Sequence, residues 1–222
     1  LEIGATVGIV GICHGYPEKL NGWIESIHQL NRKPDEIVLV LWDQIILDNL
    51  NLDGIKVIAW SGDFQYSNMM NLAIKNCDTD WIAWIGVDDR YRPHALDKID
   101  NCTADVLALG FQYDTGQLWT PVKTNPDEIL SMRANMIPCG SPFRKWLWEK
   151  IAFDQSIAPF DDWVFWLGTA LSGATYDATL DIDVDYEYEG HFVPNDGQAR
   201  ATISDWLSKT LMSLGKKTSQ IN

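Results

Sequence analysis

From Trp81 to Val87 the chain is apolar apart from Gly86, and it then passes at once into Asp88, Asp89, Arg90, Tyr91, Arg92 and Pro93. A strand covered on both faces reads as a near-continuous apolar run, and in open α/β sheets ligands collect beyond the carboxyl ends of such strands. This stretch therefore constrains the chain to a buried sheet with helices on its faces. It also sets two carboxylates, Asp88 and Asp89, at the edge where a ligand would lie.

The pattern before it agrees. Thr6 to Ile12 is a short apolar strand, and Pro17 to Leu30 is helical with Leu20, Trp23, Ile24, Ile27 and Leu30 on one face. Glu36 to Leu41 and Ile55 to Ala59 read as strands, and a helix from Ser67 to Lys75 precedes the Trp81 strand. The order β, α, β, β, α, β predicts a mixed, mostly parallel sheet of the Rossmann-like kind.

After Pro93 the spacing predicts a short helix from His94 to Ile99, a strand from Asp105 to Tyr113, a turn at Asp114-Thr115-Gly116, and helices at Arg144 to Ile151 and Asp162 to Leu171. Asp181, Asp183 and Asp185 alternate with aliphatic residues. A calcium loop would need Gly and Glu where Tyr186 and Phe192 stand, so the expected structure is a half-buried strand with a solvated acidic face. Ile203, Trp206, Leu207, Leu211 and Leu214 fall at helical spacing and predict an amphipathic carboxyl-terminal helix, packed on the body or on a partner. One domain over residues 1–200 is expected, divided at 93/94, with 201–222 as a helical tail.

The balance of 31 acidic against 17 basic residues, net charge -14, disfavours nonspecific binding to a phosphate backbone. Cys13, Cys77, Cys102 and Cys139 form no C-x-x-C pair, so neither a zinc knuckle nor a disulfide framework is expected, which fits a reducing compartment. No apolar run approaches the roughly 18 residues of a membrane span. The expectation is a cytoplasmic protein without a span, of unread oligomeric state.

In motif order the chain resembles the family-2 glycosyltransferases of the GT-A fold, inverting enzymes that move a sugar from a nucleotide diphosphate to an acceptor. The similarity runs over roughly residues 5 to 193. It rests on the opening strand Val7 to Cys13, Asp43 after the second strand, Asn71 on the helix before the fourth, Gly86-Val87-Asp88-Asp89 with Pro93, and Asp161-Asp162-Trp163. The resemblance implies residues 1–93 as the nucleotide-sugar half and 94–200 as the acceptor half.

By that resemblance, Asp88 contacts Mn²⁺ or Mg²⁺, with His191 as a second ligand, and a hard cation there offsets charge on the departing diphosphate. Gly86 stands where the family has its first acid, which passes the ribose contact to Asp89. His14 or Tyr16 stacks on the base. Asp43 reads an imide N–H, favouring a UDP-sugar, although it lies one position off the usual acid, and Asn71 completes the donor set. Asp162 is the expected general base and Asp161 its positioning partner, at a helix start that should lower the carboxyl pKa.

Trp119, Trp146 and Trp163 are candidates for an acceptor site, because aromatic faces stack on sugar rings. The expected activity is inverting, metal-dependent hexosyl transfer to a hydroxyl on a glycan, lipid, protein or modified base. Two rivals stand beside it. A non-catalytic relative that binds nucleotide sugar or glycan is favoured by Gly86. A nucleotidyltransferase on a similar sheet would need a Gly- and Lys-rich phosphate loop that Gly11 to Lys19 does not supply.

Overall fold

The computed structural model describes residues 4–42, 52–131, 135–158, 160–187 and 196–213. Strand β1 (Val7–Cys13) is buried along its whole length and leads through a 3-10 turn, Pro17–Lys19, into helix α1 (Leu20–Gln29). That helix buries Leu20, Trp23, Ile24 and Ile27, the apolar stripe of the sequence. Then come β2 (Glu36–Trp42), β3 (Ile55–Trp60), α2 (Tyr66–Lys75) and β4 (Trp81–Trp84). β1 pairs in parallel with β2 and with β4, and β2 pairs in parallel with β3. The continuous apolar sequence of β1 follows from this central position, covered on both faces.

The second half adds β5 (Arg90–Tyr91), β6 (Val106–Tyr113), β7 (Leu118–Trp119), α3 (Pro126–Leu130), β8 (Phe143–Arg144), α4 (Lys145–Lys150), α5 (Asp161–Leu171), β9 (Tyr176–Tyr186) and α6 (Asp196–Ser213). β8 lies antiparallel between β4 and β6, β9 runs parallel to β6, and β5 lies antiparallel on β9. The strand order among the described residues is β3-β2-β1-β4-β8-β6-β9-β5, with β7 paired to β6. This is the expected mixed, mostly parallel sheet flanked by helices, GT-A-like in architecture.

Side chains alternate along β4: Ile82 and Trp84 enter a core shared with α2, α4 and α5, while Trp81 and Ala83 face α1. Trp84 stacks on Trp166 of α5 with centroids 5.2 Å apart, and Phe153 stacks on Phe165 at 4.4 Å. Helix α6 buries Ile203, Leu207 and Leu211, and the Trp206 indole N–H donates to Asp154 Oδ2 at 3.2 Å. Its apolar face is therefore covered by the body of the same chain. Leu214 lies outside the described residues.

Three local expectations are corrected. β4 stops at Trp84 rather than Val87, because the backbone turns at Gly86, closed by Asp89 N–H donating to the Gly86 carbonyl at 3.1 Å, with the Tyr91 hydroxyl oxygen 3.3 Å from the Trp84 carbonyl. Residues 94–99 are not an α-helix. Their amides bond three residues back, Asp97 to His94 and Ile99 to Leu96, while Lys98 is tied to Asp181 and the His94 ring meets the Ile182 carbonyl, so β9 dictates their path. The acidic face of β9 is not uniformly solvated. Asp181 and Asp185 are exposed, but the register slips around Gly110 and turns Asp183 inward, where its carboxylate accepts from Gly110 N–H at 3.1 Å and from the Thr179 hydroxyl.

Candidate active site

The turn after β4 is built around Gly86. A Cβ at that position would collide with Asp88 Oδ1 and lie 3.2 Å from Asp89 Oδ2, so both carboxylates fold back over the glycine. Asp89 is buried and its Oδ1 accepts the Glu187 N–H at 2.9 Å, joining the turn to the end of β9. The Arg90 guanidinium holds the turn from behind. Nη1 donates to the carbonyls of Val87 at 2.7 Å and Asp89 at 2.6 Å, and Nη2 donates to the Lys19 carbonyl at 2.8 Å. Burial lowers the Arg90 pKa, against the opposing pull of Asp89 and Asp88.

Gly22 of α1 makes room for this guanidinium, since a Cβ there would sit 2.7 Å from both Nε and Nη2. Lys19 pairs with Glu187, and that hydrogen bond raises its pKa, with a further contribution from the charge of Asp88. Two cations thus stand beside the Asp88–Asp89 turn.

The second acid pair opens α5. Asp161 is buried and accepts the Ser67 hydroxyl of α2 at 2.7 Å. Asp162 accepts the Trp163 N–H through Oδ1 at 2.6 Å and the Asn135 amide N–H through Oδ2 at 2.9 Å. Its pKa is pushed up to about 6, by burial first and then by the charge of Asp161, while the two hydrogen bonds pull the other way. The lowering expected from the helix start is overturned, because desolvation and a like charge outweigh the N-terminal dipole.

Both pairs act electrostatically on the same side chains. Burial, and then the charges of Asp89 and Asp162 among others, raise the pKa of Tyr66, Cys139 and Tyr186 together, so these three groups sit within the field of both pairs. The segment carrying Cys139 is fixed there by the Trp84 indole N–H, which donates to its Sγ at 2.6 Å, and by the Tyr91 hydroxyl, which donates to the Gly140 carbonyl at 2.7 Å.

At the ends of β1 and β2, His14 stacks on Phe64 with centroids 3.5 Å apart and planes 18° from parallel, and Trp42 lies 5.5 Å from His14. Burial lowers the His14 pKa, favouring the neutral ring. Tyr16, half exposed, is near this aromatic shelf in sequence.

The Asn71 side chain, on α2, is bonded to α4 and the segment after it. Its Oδ1 accepts the Trp148 indole N–H at 2.8 Å and the Phe153 N–H at 3.0 Å, and its Nδ2 donates to the Phe153 carbonyl at 2.9 Å. The side chain staples α2 to α4 and the segment after it. Asp43 and His191 lie outside the described residues.

The roles of Arg90, Lys19, Asn135, Tyr66, Cys139 and Tyr186 escape a reading of the sequence. One signal did exist: a glycine inside the α1 pattern marks a close approach, here that of Arg90.

For a divalent cation the donor chemistry fits. Among the described residues no three His, Cys, Asp or Glu side chains form a metal-holding group. Asp88 and Asp89 nonetheless bring hard oxygens together over Gly86, the kind of partial site that Mg²⁺ or Mn²⁺ completes with water and phosphate oxygens.

No family model matches this sequence, and no curated protein matches it. Solved structures do match its fold. A crystal structure of S. aureus TarS residues 1–349 superposes with a TM-score of 0.67 at 14% identity, covering 93% of this chain and 72% of that one. The same TarS fragment in complex with UDP gives 0.65 at 12% identity, over 97% of this chain and 76% of that one. Its complex with UDP-GlcNAc gives 0.67 at 12% identity, over 97% and 77%. At these identities the likeness concerns the fold, which is that of GT-A-like glycosyltransferases.

Proposed function

We propose that this chain is an inverting glycosyltransferase that moves a sugar from a UDP-sugar to an acceptor hydroxyl. The observation that carries the reading is the GT-A-like fold with one acid pair, Asp88–Asp89, folded over Gly86 directly after β4 and a second, Asp161–Asp162, opening α5. The fold shared with proteins crystallised with UDP and UDP-GlcNAc supports the donor class.

In this reading Asp162 accepts the proton of the acceptor hydroxyl as that oxygen bonds to the anomeric carbon, and the bond to the diphosphate breaks on the opposite face, inverting the centre. A carboxylate with a pKa near 6 is mostly ionised at neutral pH, yet a stronger base than an ordinary Asp. Asn135 and the Trp163 N–H fix its orientation. Asp161, held by Ser67, supplies the like charge that keeps it basic. Lys19 and Arg90 place positive charge near the departing diphosphate, and the His14–Phe64 shelf receives the base. A divalent cation held by Asp88 and Asp89 would offset the charge gathering on the leaving group.

The test is UDP and UDP-sugar binding with and without Mn²⁺, together with donor turnover, in wild type, Asp88→Ala and Asp162→Asn. Mn²⁺-dependent binding lost in Asp88→Ala, with turnover lost but binding kept in Asp162→Asn, is the expected result. Binding without turnover in wild type would favour the non-catalytic relative, the reading to which Gly86 points. No binding to any uridine nucleotide would overturn both.

A further inference from the structure

Lys19 and Glu187 lie 168 residues apart in sequence, yet the backbones of both are pinned to the turn that carries Asp88 and Asp89. The Lys19 carbonyl accepts Arg90 Nη2 at 2.8 Å, and the Glu187 N–H donates to Asp89 Oδ1 at 2.9 Å. From these two anchors the side chains reach across to one another, and Lys19 Nζ donates to Glu187 Oε1.

The pair is fixed at its roots and loose at its tips. Side-chain exposure is 25% for Lys19 and 33% for Glu187, so solvent reaches both, and Glu187 lines an open cleft that has Asp88 and Arg90 on its walls. An ion pair this exposed is worth little to the fold, so a stronger anion can break it.

The two cations at the turn differ in what they can exchange. Arg90 is committed to the carbonyls of Val87, Asp89 and Lys19, and an incoming phosphate could take over those donors only by undoing the turn. Lys19 carries three N–H donors on a flexible stem, with the Tyr16 ring 4.8 Å from Nζ as a second hold on the ammonium. A phosphate oxygen can therefore replace the Glu187 carboxylate while both backbones stay where they are. The freed carboxylate, already a third exposed, turns to solvent.

We propose that Glu187 is a placeholder for the donor diphosphate, holding the Lys19 ammonium while the site is empty and releasing it to a nucleoside diphosphate. The placeholder rests on the donor reading above. No covalent bond changes in the exchange, and the ion pair re-forms when the diphosphate leaves. A site whose cation is already paired holds stray singly charged anions poorly, which favours a ligand bringing two phosphates. The test is calorimetric titration of UDP and of uridine in Mn²⁺, with wild type, Glu187→Gln, Glu187→Ala, Lys19→Met and the double variant Glu187→Gln/Lys19→Met, beside melting curves that establish folding. Both Glu187 substitutions should tighten UDP about 2- to 5-fold, and Lys19→Met should weaken it about tenfold or more. The double variant should match Lys19→Met, because without the ammonium Glu187 has nothing to withhold. A carboxylate that merely repelled the diphosphate through space would give its gain with or without Lys19, so a gain kept in the double variant would overturn the proposal. UDP affinity unchanged or weakened by the folded Glu187 variants, or uridine affinity that moves with the same substitutions, would overturn it too. Those results leave the donor reading standing, whereas a wild type that binds no UDP ends that reading and the placeholder together.

Discussion

The Asn135 side-chain amide donates to Asp162 Oδ2 at 2.9 Å, and Asp161 sets a second carboxyl beside the same group. The two neighbours pull in opposite directions: the hydrogen bond favours the ionised form of Asp162 and the like charge disfavours it. Burial tips the balance toward the neutral form, giving a pKa of about 6.

Turnover should therefore rise with pH through about 6 and level off, since the base must be ionised. Asp161→Asn should move this limb to lower pH, and Asn135→Leu should move it higher. Asp162→Asn should cut kcat by about 10²- to 10⁴-fold. A full pH–rate profile of each variant checks the opposed shifts, which a purely structural defect would not produce.

The same group makes a prediction for stability. Its folded-state pKa lies above the ordinary value of 3.8, so its favourable contribution is complete below that value and is lost as pH rises through about 6. The melting temperature of wild type should fall relative to Asp162→Asn as pH is raised from acid to neutral. Melting scans at stepped pH read the difference directly.

Gly86 should resist restoration of a family-like acid. A Cβ at this position displaces the end of the Asp88 side chain, which is flexible, so stability should change little while the carboxylates part. Gly86→Ala and Gly86→Asp are expected to weaken Mn²⁺-dependent UDP binding by about 10- to 100-fold, the scale of a disturbed supporting shell. Calorimetric titration beside melting curves separates the two effects.

Arg90→Gln should lower the same Mn²⁺-dependent affinity, because three carbonyls around the turn lose their donor. Gly22→Ala should act in the same direction by displacing the guanidinium. Alanine is the better helix former by about 1 kcal/mol, so a loss of affinity in that variant cannot be laid to a weakened helix.

Asn71→Ala should cost about 1–3 kcal/mol, since it leaves the Phe153 and Trp148 partners unsatisfied in a partly buried place. The KM for donor should stay unchanged. Denaturant unfolding and steady-state kinetics together distinguish this staple from a donor ligand.

The strands and helices of the first half were legible because one physical rule wrote them. Residues 7–13 and 81–84 are covered on both faces, and α1 and α2 on one, so burial shows directly as apolar run or stripe. The acids at 88–89 and 161–162 were legible because each follows or opens such an element. What the sequence could not carry was distance across the fold. That the Asp162 pKa rises rather than falls depends on burial, which with the charge of Asp161 outweighs the hydrogen bonds from Asn135 and the Trp163 N–H. The inward turn of Asp183 depends on a register slip at Gly110, and the staple role of Asn71 on a segment that folds back from beyond α4. Periodicity encodes which face of an element is buried; which charges and hydrogen-bond partners meet there is decided only when the elements close on one another.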